Sequence, residues 1–462
     1  MQQAALNALQ QAAGPENFSQ ESCDRLLYAT DGTCYRHPPE AVIRVKDADQ
    51  LSRVMKVCTS HQVPVVPRGA GSGLTGGALP VAGGVVLDLA GMNRIIDIRP
   101  NDQVAVVEPG VVTGDLQAAA EKKGFFYPPD PASVAFCTIG GNVAENAGGL
   151  RAVKYGVTRD YVLGIKAVLP DGRLFKTGGA NLKSVVGYDL TRLLVGSEGT
   201  LAVIYEITLR LLPLPEDRAT INAFFASLEQ AAQGVQALLS SGIRPVACEF
   251  MDSYCLKAVD SYAKLNLPKA DAMILVDLDG PPEVVERQSA EVAEILRKAG
   301  GDPVNQARDQ AEVELLWKAR RAMGPAVYQH GPGKLNEDIA VPLGKLAEMV
   351  KRAHQIGQER GLIIPVFGHA GDGNLHINVM HDPDDEKQLQ AAHQAVTDLF
   401  AHTLKLGGTL SGEHGVGTTK LGFVGAETDP VALQLMRSIK GVFDPAGILN
   451  PHKKLPSAEA LS

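Results

Sequence analysis

Two imidazoles and a carboxylate have the clearest claim to chemistry in this chain. His369 and His376 flank a Gly-Asp-Gly turn (371–373), and Glu413-His414 sits in a second glycine-rich turn. Two histidines with one carboxylate are a standard ligand set for a divalent metal with open positions, zinc above all and also iron or manganese. The spacing H-x6-H is no recognised zinc signature, and either histidine alone is more often a satisfied structural residue, so the residues alone leave both readings open. The runs Leu362 to Val366 and Leu375 to Val379 read as strands, and as a hairpin they would carry His369 and His376 to one ligand. A strand's period of two puts His376 and Asn378 on the same face. His354, His393 and His402 fall among Glu, Gln and Arg in helical patterns and read as solvated, as does the charge run Asp382 to Lys387.

A second chemistry is carboxylate recognition. WKARRA (317–322) offers Arg320 and Arg321, and a guanidinium presents two parallel N–H groups to a carboxylate. A helix turns only one of two adjacent residues toward a given cleft, which leaves the other as surface charge.

The third is anion binding by backbone. Glycine is over-represented, 48 among 462 residues, against a usual share of about 7%. It clusters at 69–84, 140–149, 196–199, 368–373 and 407–422. Glycine belongs where backbone takes positive φ or approaches a ligand closely. Gly71-Ser72-Gly73-Leu74-Thr75-Gly76 matches G-x-G-x-x-G after the apparent strand Val63 to Val66. The dinucleotide fingerprint must open a helix and needs an acid about 20 residues on. Here Gly77, Pro80, Gly83 and Gly84 lead into another strand, Val85 to Leu87. What remains is a strand–loop–strand nest with one cation, Arg68, suited to a pyrophosphate but not to NAD.

Composition narrows the class. There are 44 basic and 52 acidic residues, a net charge of −8, with 45% hydrophobic and 21% charged residues. That is an ordinary globular balance, and it lacks the basic face a nucleic-acid binder needs. No apolar run approaches a membrane span. MQQAALNALQQAAG reads as a short amphipathic helix, not a secretory signal. The six cysteines have no CxxC spacing, which reads as reduced thiols in a cytoplasmic protein without a chain-borne iron–sulfur cluster.

Around these residues the pattern predicts a strand at Val104 to Glu108, a helix at Thr113 to Lys123 capped by Thr113, and a hairpin of Val162 to Leu169 with Arg173 to Lys176. A long strand, Leu201 to Leu212, ends at Pro213 and Pro215. Beyond Arg218 comes βαβ-type alternation, with strands near 220–225, 246–250, 272–277, 339–341, 362–366 and 375–380. Helices are expected near 228–239, 282–299, 309–323, 344–359 and 386–406. This reads as an α+β domain with an open sheet.

Six motifs in fixed order carry a family resemblance: PRGAGSGLTGG (67–77), PPDPASVAFCTIGGNVAENAGG (128–149), GSEGTLAVI (196–204), GHAGDGNLHINV (368–379), SGEHGVG (411–417) and FDPAGILNP (443–451). With them the chain resembles the FAD-linked 2-hydroxyacid dehydrogenases of the vanillyl-alcohol oxidase fold. That family includes D-lactate dehydrogenases, the flavin subunit of glycolate oxidase and D-2-hydroxyglutarate dehydrogenase. The resemblance implies an α+β architecture: an FAD-binding domain at 1–216, a substrate and metal cap domain with an open mixed or antiparallel sheet at 217–415, and a helical segment at 416–462 returning to the FAD domain. It implies that Pro67, Arg68, Gly69, Ala70, Gly71, Ser72, Gly73, Thr75 and Gly76 hold the FAD pyrophosphate. Pro131, Gly140, Gly141, Asn146, Gly148 and Gly149 would line the ribityl and isoalloxazine region. Glu198 to Val203 would face the adenine side, and Asn450 would return to the flavin. Some relatives carry a histidine that bonds the flavin covalently; Ser72 stands here, so the FAD is expected to be non-covalent.

By the same resemblance His369, His376 and Glu413 are ligands of a divalent metal, zinc in first place, with iron or manganese as alternatives. His414 is the general base and Arg320 the carboxylate clamp, and Asn378 joins them as a catalytic candidate. One departure stands out. Where the D-2-hydroxyglutarate branch places a lysine and a threonine on the distal carboxylate, this chain has Asn336 and Gly324, with Lys334 nearby but shifted. The expectation is therefore oxidation of a small D-2-hydroxy acid, D-lactate or glycolate. Electrons would pass to an electron-transfer flavoprotein, a quinone or an iron–sulfur subunit. Rival readings are a D-2-hydroxyglutarate dehydrogenase, an electron-relay subunit with an idle metal site, and an oxygen-using oxidase. A cytoplasmic chain is expected, peripheral to the inner face of a membrane or free of it, with a homodimer as the candidate assembly.

Overall fold

The computed structural model describes residues 1–457, so the end of the expected 416–462 segment lies outside the described residues. Two compact units divide the chain. The first comprises Met1–Gly148, Gly156–Leu214 and the residues from Glu413 onward; the second comprises Gly149–Tyr155 and Pro215–Gly412. The breaks fall at 214/215 and 412/413, against expected boundaries at 216/217 and 415/416. The excursion Gly149–Tyr155 was not anticipated. It joins the second unit because Lys154 Nζ and Tyr155 Oη both donate to the buried carboxylate of Asp279.

In the first unit Ala41–Arg44, Val85–Asp88 and Val65–Arg68 form a parallel sheet in that order. Strands buried on both faces read as unbroken apolar runs, and Val42, Ile43, Val85, Val86 and Leu87 are fully buried. Helix Ala48–Ser60 covers them with Leu51, Val54, Met55 and Cys58, and Asp47 caps its start by accepting from Gln50 N. The glycine loop 69–84 is thus a helix-free crossover between two parallel neighbours. A five-stranded antiparallel sheet, which includes the hairpin Val162–Val168 with Leu174–Gly178, completes the unit.

The second unit is built on β1 (Asp217–Phe225), β2 (Ala247–Asp252), β3 (Ala272–Gly280), β4 (Val304–Gln306), β5 (Gly333–Ala340), β6 (Val366–His369) and β7 (Asn374–His381), in the sheet order β4-β1-β3-β2-β6-β7-β5. Every pairing among these strands is antiparallel. The βαβ pattern is present in the chain, but the crossovers from β1 to β2, from β3 to β4 and from β5 to β6 each skip one position, filled in the opposite direction by β3, β1 and β7 respectively. One sheet face packs Phe224, Met251, Met273 and Leu275 against helices Ser253–Ala263 and Gln310–Arg321 through Leu256, Val259 and Trp317.

Several local expectations need correction. The strand expected at 339–341 runs from Gly333 to Ala340, because Lys334, Asn336 and Asp338 alternate along it and mask its apolar signal. The ladder expected at 362–366 begins only at Val366, with Ile363 contributing a single bridge to Met380. Thr113 is not a cap: the helix Thr113–Glu121 is preceded by Val112, and the Thr113 hydroxyl accepts from Asn142 Nδ2 at 2.7 Å. Helix Ser253–Ala263, capped by Asp252, was missed altogether. His354 is not solvated, since its Nε2 lies 2.7 Å from the buried Asp252 carboxylate. His402 is half-buried, with burial holding its pKa below the ordinary value. His393 is exposed.

Candidate active site

Register across four strands assembles the polar side chains of the second unit. Glu249 of β2 stands opposite His369 of β6, Phe367 of β6 opposite His376 of β7, and His376 opposite Asp338 of β5. Opposed residues in an antiparallel pair share a face, as do residues two apart on one strand. All five therefore rise from the face that carries Met251. The imidazoles of His369 and His376 meet edge to face with centroids 5.2 Å apart, and Phe367 lies 5.3 Å from His376. Both histidines are buried. The turn between β6 and β7 depends on Gly373, whose φ is +82° and whose missing side chain makes room for Val341 O.

Glu249 is 1% exposed. Its Oε1 accepts from His369 Nδ1 at 2.7 Å and its Oε2 from Arg320 Nε at 2.7 Å. Burial opposes its ionisation, but His369 and Arg320 outweigh burial and hold the carboxyl below its ordinary value. The Arg320 guanidinium lies over the Phe367 ring at 4.8 Å. Arg321 turns outward and pairs with Glu314. Asp338 accepts from Asn374 Nδ2 at 2.6 Å and from Ser411 Oγ at 3.3 Å, and lies 3.9 Å from His376 Nδ1. Asn378 is fully buried; its Oδ1 accepts from Asn336, and its Nδ2 donates to Pro365 O and His376 O. These bonds fix Asn378 beside His376 on the same face of β7. With Nδ1 of His369 bonded to Glu249, the ring's lone pair lies on Nε2, and two imidazoles with a nearby carboxylate are donors suited to a divalent cation.

The first unit holds the remaining candidates. His414 Nε2 lies 3.8 Å from Glu413 Oε1, and Thr75 Oγ1 donates to His414 O. A side chain at Gly148 would meet the Glu413 carboxylate at 3.0 Å, so this glycine of the second motif makes room for Glu413. Gly71 has φ +67°, and a Cβ there would strike the Arg68 guanidinium. Arg68 is buried with Nη1 lacking a hydrogen-bond partner, and desolvation holds its pKa below the ordinary value. A buried, underused cation beneath a glycine loop fits the pyrophosphate of FAD. Thr138 opens the helix Ile139–Glu145 by accepting from Gly141 N, and Asn146 closes it at φ +56°.

Other flavin candidates are busy within the protein. The Glu198 carboxylate accepts from Val416 N and Gly417 N at 2.9 and 2.8 Å. Asn450 Nδ2 donates to Gly77 O and Glu198 O, while Lys453 Nζ donates to Asn450 Oδ1. These contacts brace four of the six family motifs against each other. The Val203 side chain is fully buried in the apolar core and offers no surface to a ligand.

Glu249 and Asp338 escaped the sequence reading. For Glu249 the available signal was an acid flanked on both sides by apolar residues, Ala-Cys-Glu-Phe-Met, where an ionised group is expensive unless it is used.

A cofactor cradle on one unit and an imidazole–carboxylate sheet face on the other define a flavin-dependent oxidoreductase. Two family models match the chain: "FAD binding domain" over residues 39–178 and "FAD linked oxidases, C-terminal domain" over 214–454. The chain is 42% identical over 445 residues to the glycolate oxidase subunit GlcD of Bacillus subtilis, covering 96% of this chain and 95% of that protein. It is 36% identical over 428 residues to a D-lactate dehydrogenase of Anaerostipes hadrus, covering 90% and 89%. Among solved structures, p-cresol methylhydroxylase superposes with a TM-score of 0.81 at 20% identity, covering 98% of this chain and 96% of that one, a likeness of fold. The chain belongs to the FAD-linked 2-hydroxyacid dehydrogenase family of the vanillyl-alcohol oxidase fold. It is an FAD-dependent oxidoreductase acting on the CH–OH group of hydroxy acids. Among the described residues no helix is long and apolar enough to cross a membrane.

Proposed function

We propose that the chain oxidises a small D-2-hydroxy acid, D-lactate first and glycolate second, to the 2-oxo acid, and delivers the electrons to an acceptor outside itself. The observation that carries this reading is Arg320: its Nε edge is held by Glu249 and its face by Phe367, beside two buried imidazoles on the same sheet face. The terminal nitrogens of the guanidinium are the edge left for a substrate carboxylate, as a paired N–H···O fork. A small acid is favoured because Asn336 occupies the register position opposite Asn378 and bonds to it, while Lys334 packs over the Tyr328 ring. Neither offers a second cation poised for a distal carboxylate.

His414 takes the hydroxyl proton as general base. A divalent metal, zinc in first place, held by His369, His376 and Glu413, would lower the hydroxyl pKa, and non-covalent FAD would accept the hydride from Cα. The acceptor is an electron-transfer flavoprotein, a quinone or an iron–sulfur subunit; the relatives named as a "subunit" support a separate chain. The chain acts in the cytoplasm or at the inner face of a membrane. Turnover with an artificial dye acceptor, across D- and L-lactate, glycolate and D-2-hydroxyglutarate, tests the proposal. D-lactate or glycolate should be the best substrate; a clear preference for D-2-hydroxyglutarate would overturn the small-acid reading.

A further inference from the structure

We infer that Glu249 is a positioning residue that ties the metal ligand His369 to the carboxylate clamp Arg320. This rests on the metal reading above. An ionised carboxylate has no donor of its own. Since Glu249 Oε1 sits 2.7 Å from His369 Nδ1, that nitrogen must carry the proton, which puts the ring's lone pair on Nε2, the atom that the metal reading assigns to the cation. Carboxylate–histidine–metal triads fix the tautomer and ring plane of a ligand in this way. The second oxygen does something different. It takes Arg320 Nε at 2.7 Å, so the guanidinium is pinned along one edge and can present only its terminal nitrogens.

The geometry of the sheet makes the sharing possible. Glu249 and His369 are direct register partners, and Phe367, two residues before His369, supports the flat face of the same guanidinium. Phe367 is in turn the register partner of His376. Asp338, the register partner of His376, accepts from Asn374 and Ser411. Stability gives no reason for the residue. A buried ion pair is often matched or bettered by apolar residues of similar volume, and the neighbours Ala247, Cys248, Phe250 and Met251 are all buried hydrophobes. The carboxylate is explained by what it orients.

Glu249→Gln tests this in the flavin-loaded protein. The amide keeps the shape but offers one acceptor and one donor, so it can serve His369 or Arg320 and not both. Zinc affinity, measured by equilibrium dialysis against a competing chelator, should weaken by about 10–100-fold, and KM for the hydroxy acid should rise in the same variant while FAD content is unchanged. Arg320→Ala should raise KM and leave zinc affinity near the wild-type value, which separates the two oxygens of Glu249. A merely structural role would lower the melting temperature without moving zinc affinity in the folded protein. Zinc affinity of Glu249→Gln within about twofold of wild type would overturn the inference. If Glu249→Gln fails to fold, nitrogen NMR of histidine-labelled, metal-stripped wild type still decides, with His369 assigned by its loss in His369→Gln. A neutral His369 protonated on Nδ1 supports the inference, and protonation on Nε2 overturns it. If wild type and His369→Gln bind zinc equally poorly while wild type turns over, it is the metal reading that has failed, and this inference falls with it.

Discussion

Replacing each of the two adjacent arginines separates a clamp from a surface charge. Arg320 is 12% exposed and its partner Glu249 1%, whereas Arg321 and Glu314 are 54% and 57% exposed. Removing one member of a buried ion pair costs about 3–5 kcal/mol. Because His369 still donates to Glu249, Arg320→Ala should lose somewhat less, about 2–4 kcal/mol of stability. Its effect on catalysis should be larger. Hydrogen bonds to charged groups contribute about 1.5–3 kcal/mol each, so a lost fork should raise KM by roughly 100-fold or more, with a smaller change in kcat. Arg320→Lys should rescue little, since a single ammonium cannot both serve Glu249 and present two parallel donors. Arg321→Ala removes an exposed pair and should cost no more than about 0.5 kcal/mol with KM unchanged. Dye-coupled steady-state kinetics and thermal unfolding followed by flavin fluorescence read both effects. A damaging Arg321→Ala beside a near-neutral Arg320→Ala would show that the functional face of helix Gln310–Arg321 is misassigned, and full rescue by Arg320→Lys would refute the fork.

Four further outcomes follow from the same structure. Acid precipitation should release all the yellow colour into the supernatant, because Ser72 offers no covalent link; colour kept in the pellet refutes this. Chelation should abolish turnover with FAD retained, His376→Ala should reproduce it, and active enzyme free of metal by elemental analysis would refute the ligand assignment. His414→Ala should lower kcat by about 10²–10⁴-fold with FAD and metal still bound, as loss of a general base does; a near-normal kcat would remove it from that role. Burial lifts the Asp277 carboxyl from 3.8 to about 6, against opposing hydrogen bonds from Thr220 and Trp317. The unfolded chain therefore ionises first, so this group's contribution to stability is greatest at low pH and is lost between about pH 4 and pH 6, by about 3 kcal/mol. Asp277→Asn keeps an oxygen for both donors and should be more stable than wild type at pH 7 but not at pH 4; an equal difference at both, by denaturant unfolding, would refute the account.

Much of the chemistry was legible in short stretches. The helix-free glycine loop after Val65–Arg68, with Arg68 as its cation, follows from φ freedom and from the missing helix that a dinucleotide fingerprint requires. The candidates His369 and His376 were visible because a Gly-Asp-Gly turn between two apolar runs is a hairpin signal, although the ladder proved shorter on its first strand. Failures cluster where polar residues line a strand. Lys334, Asn336 and Asp338 disguised β5, and His354 looked solvated until Asp252, 102 residues away, turned out to be its partner.

Sequence by itself determined which residue types were available: a loop able to bind phosphates, imidazoles able to bind a cation, two guanidiniums of which one could face inward. These are properties of a side chain and its immediate neighbours, so they survive without any knowledge of the fold. Tertiary structure alone decided that Glu249, 120 residues from His369 and 71 from Arg320, would hold both. Cross-strand register is set by the simultaneous burial of many side chains across seven strands, and no local stretch of chain encodes which residue will stand opposite which.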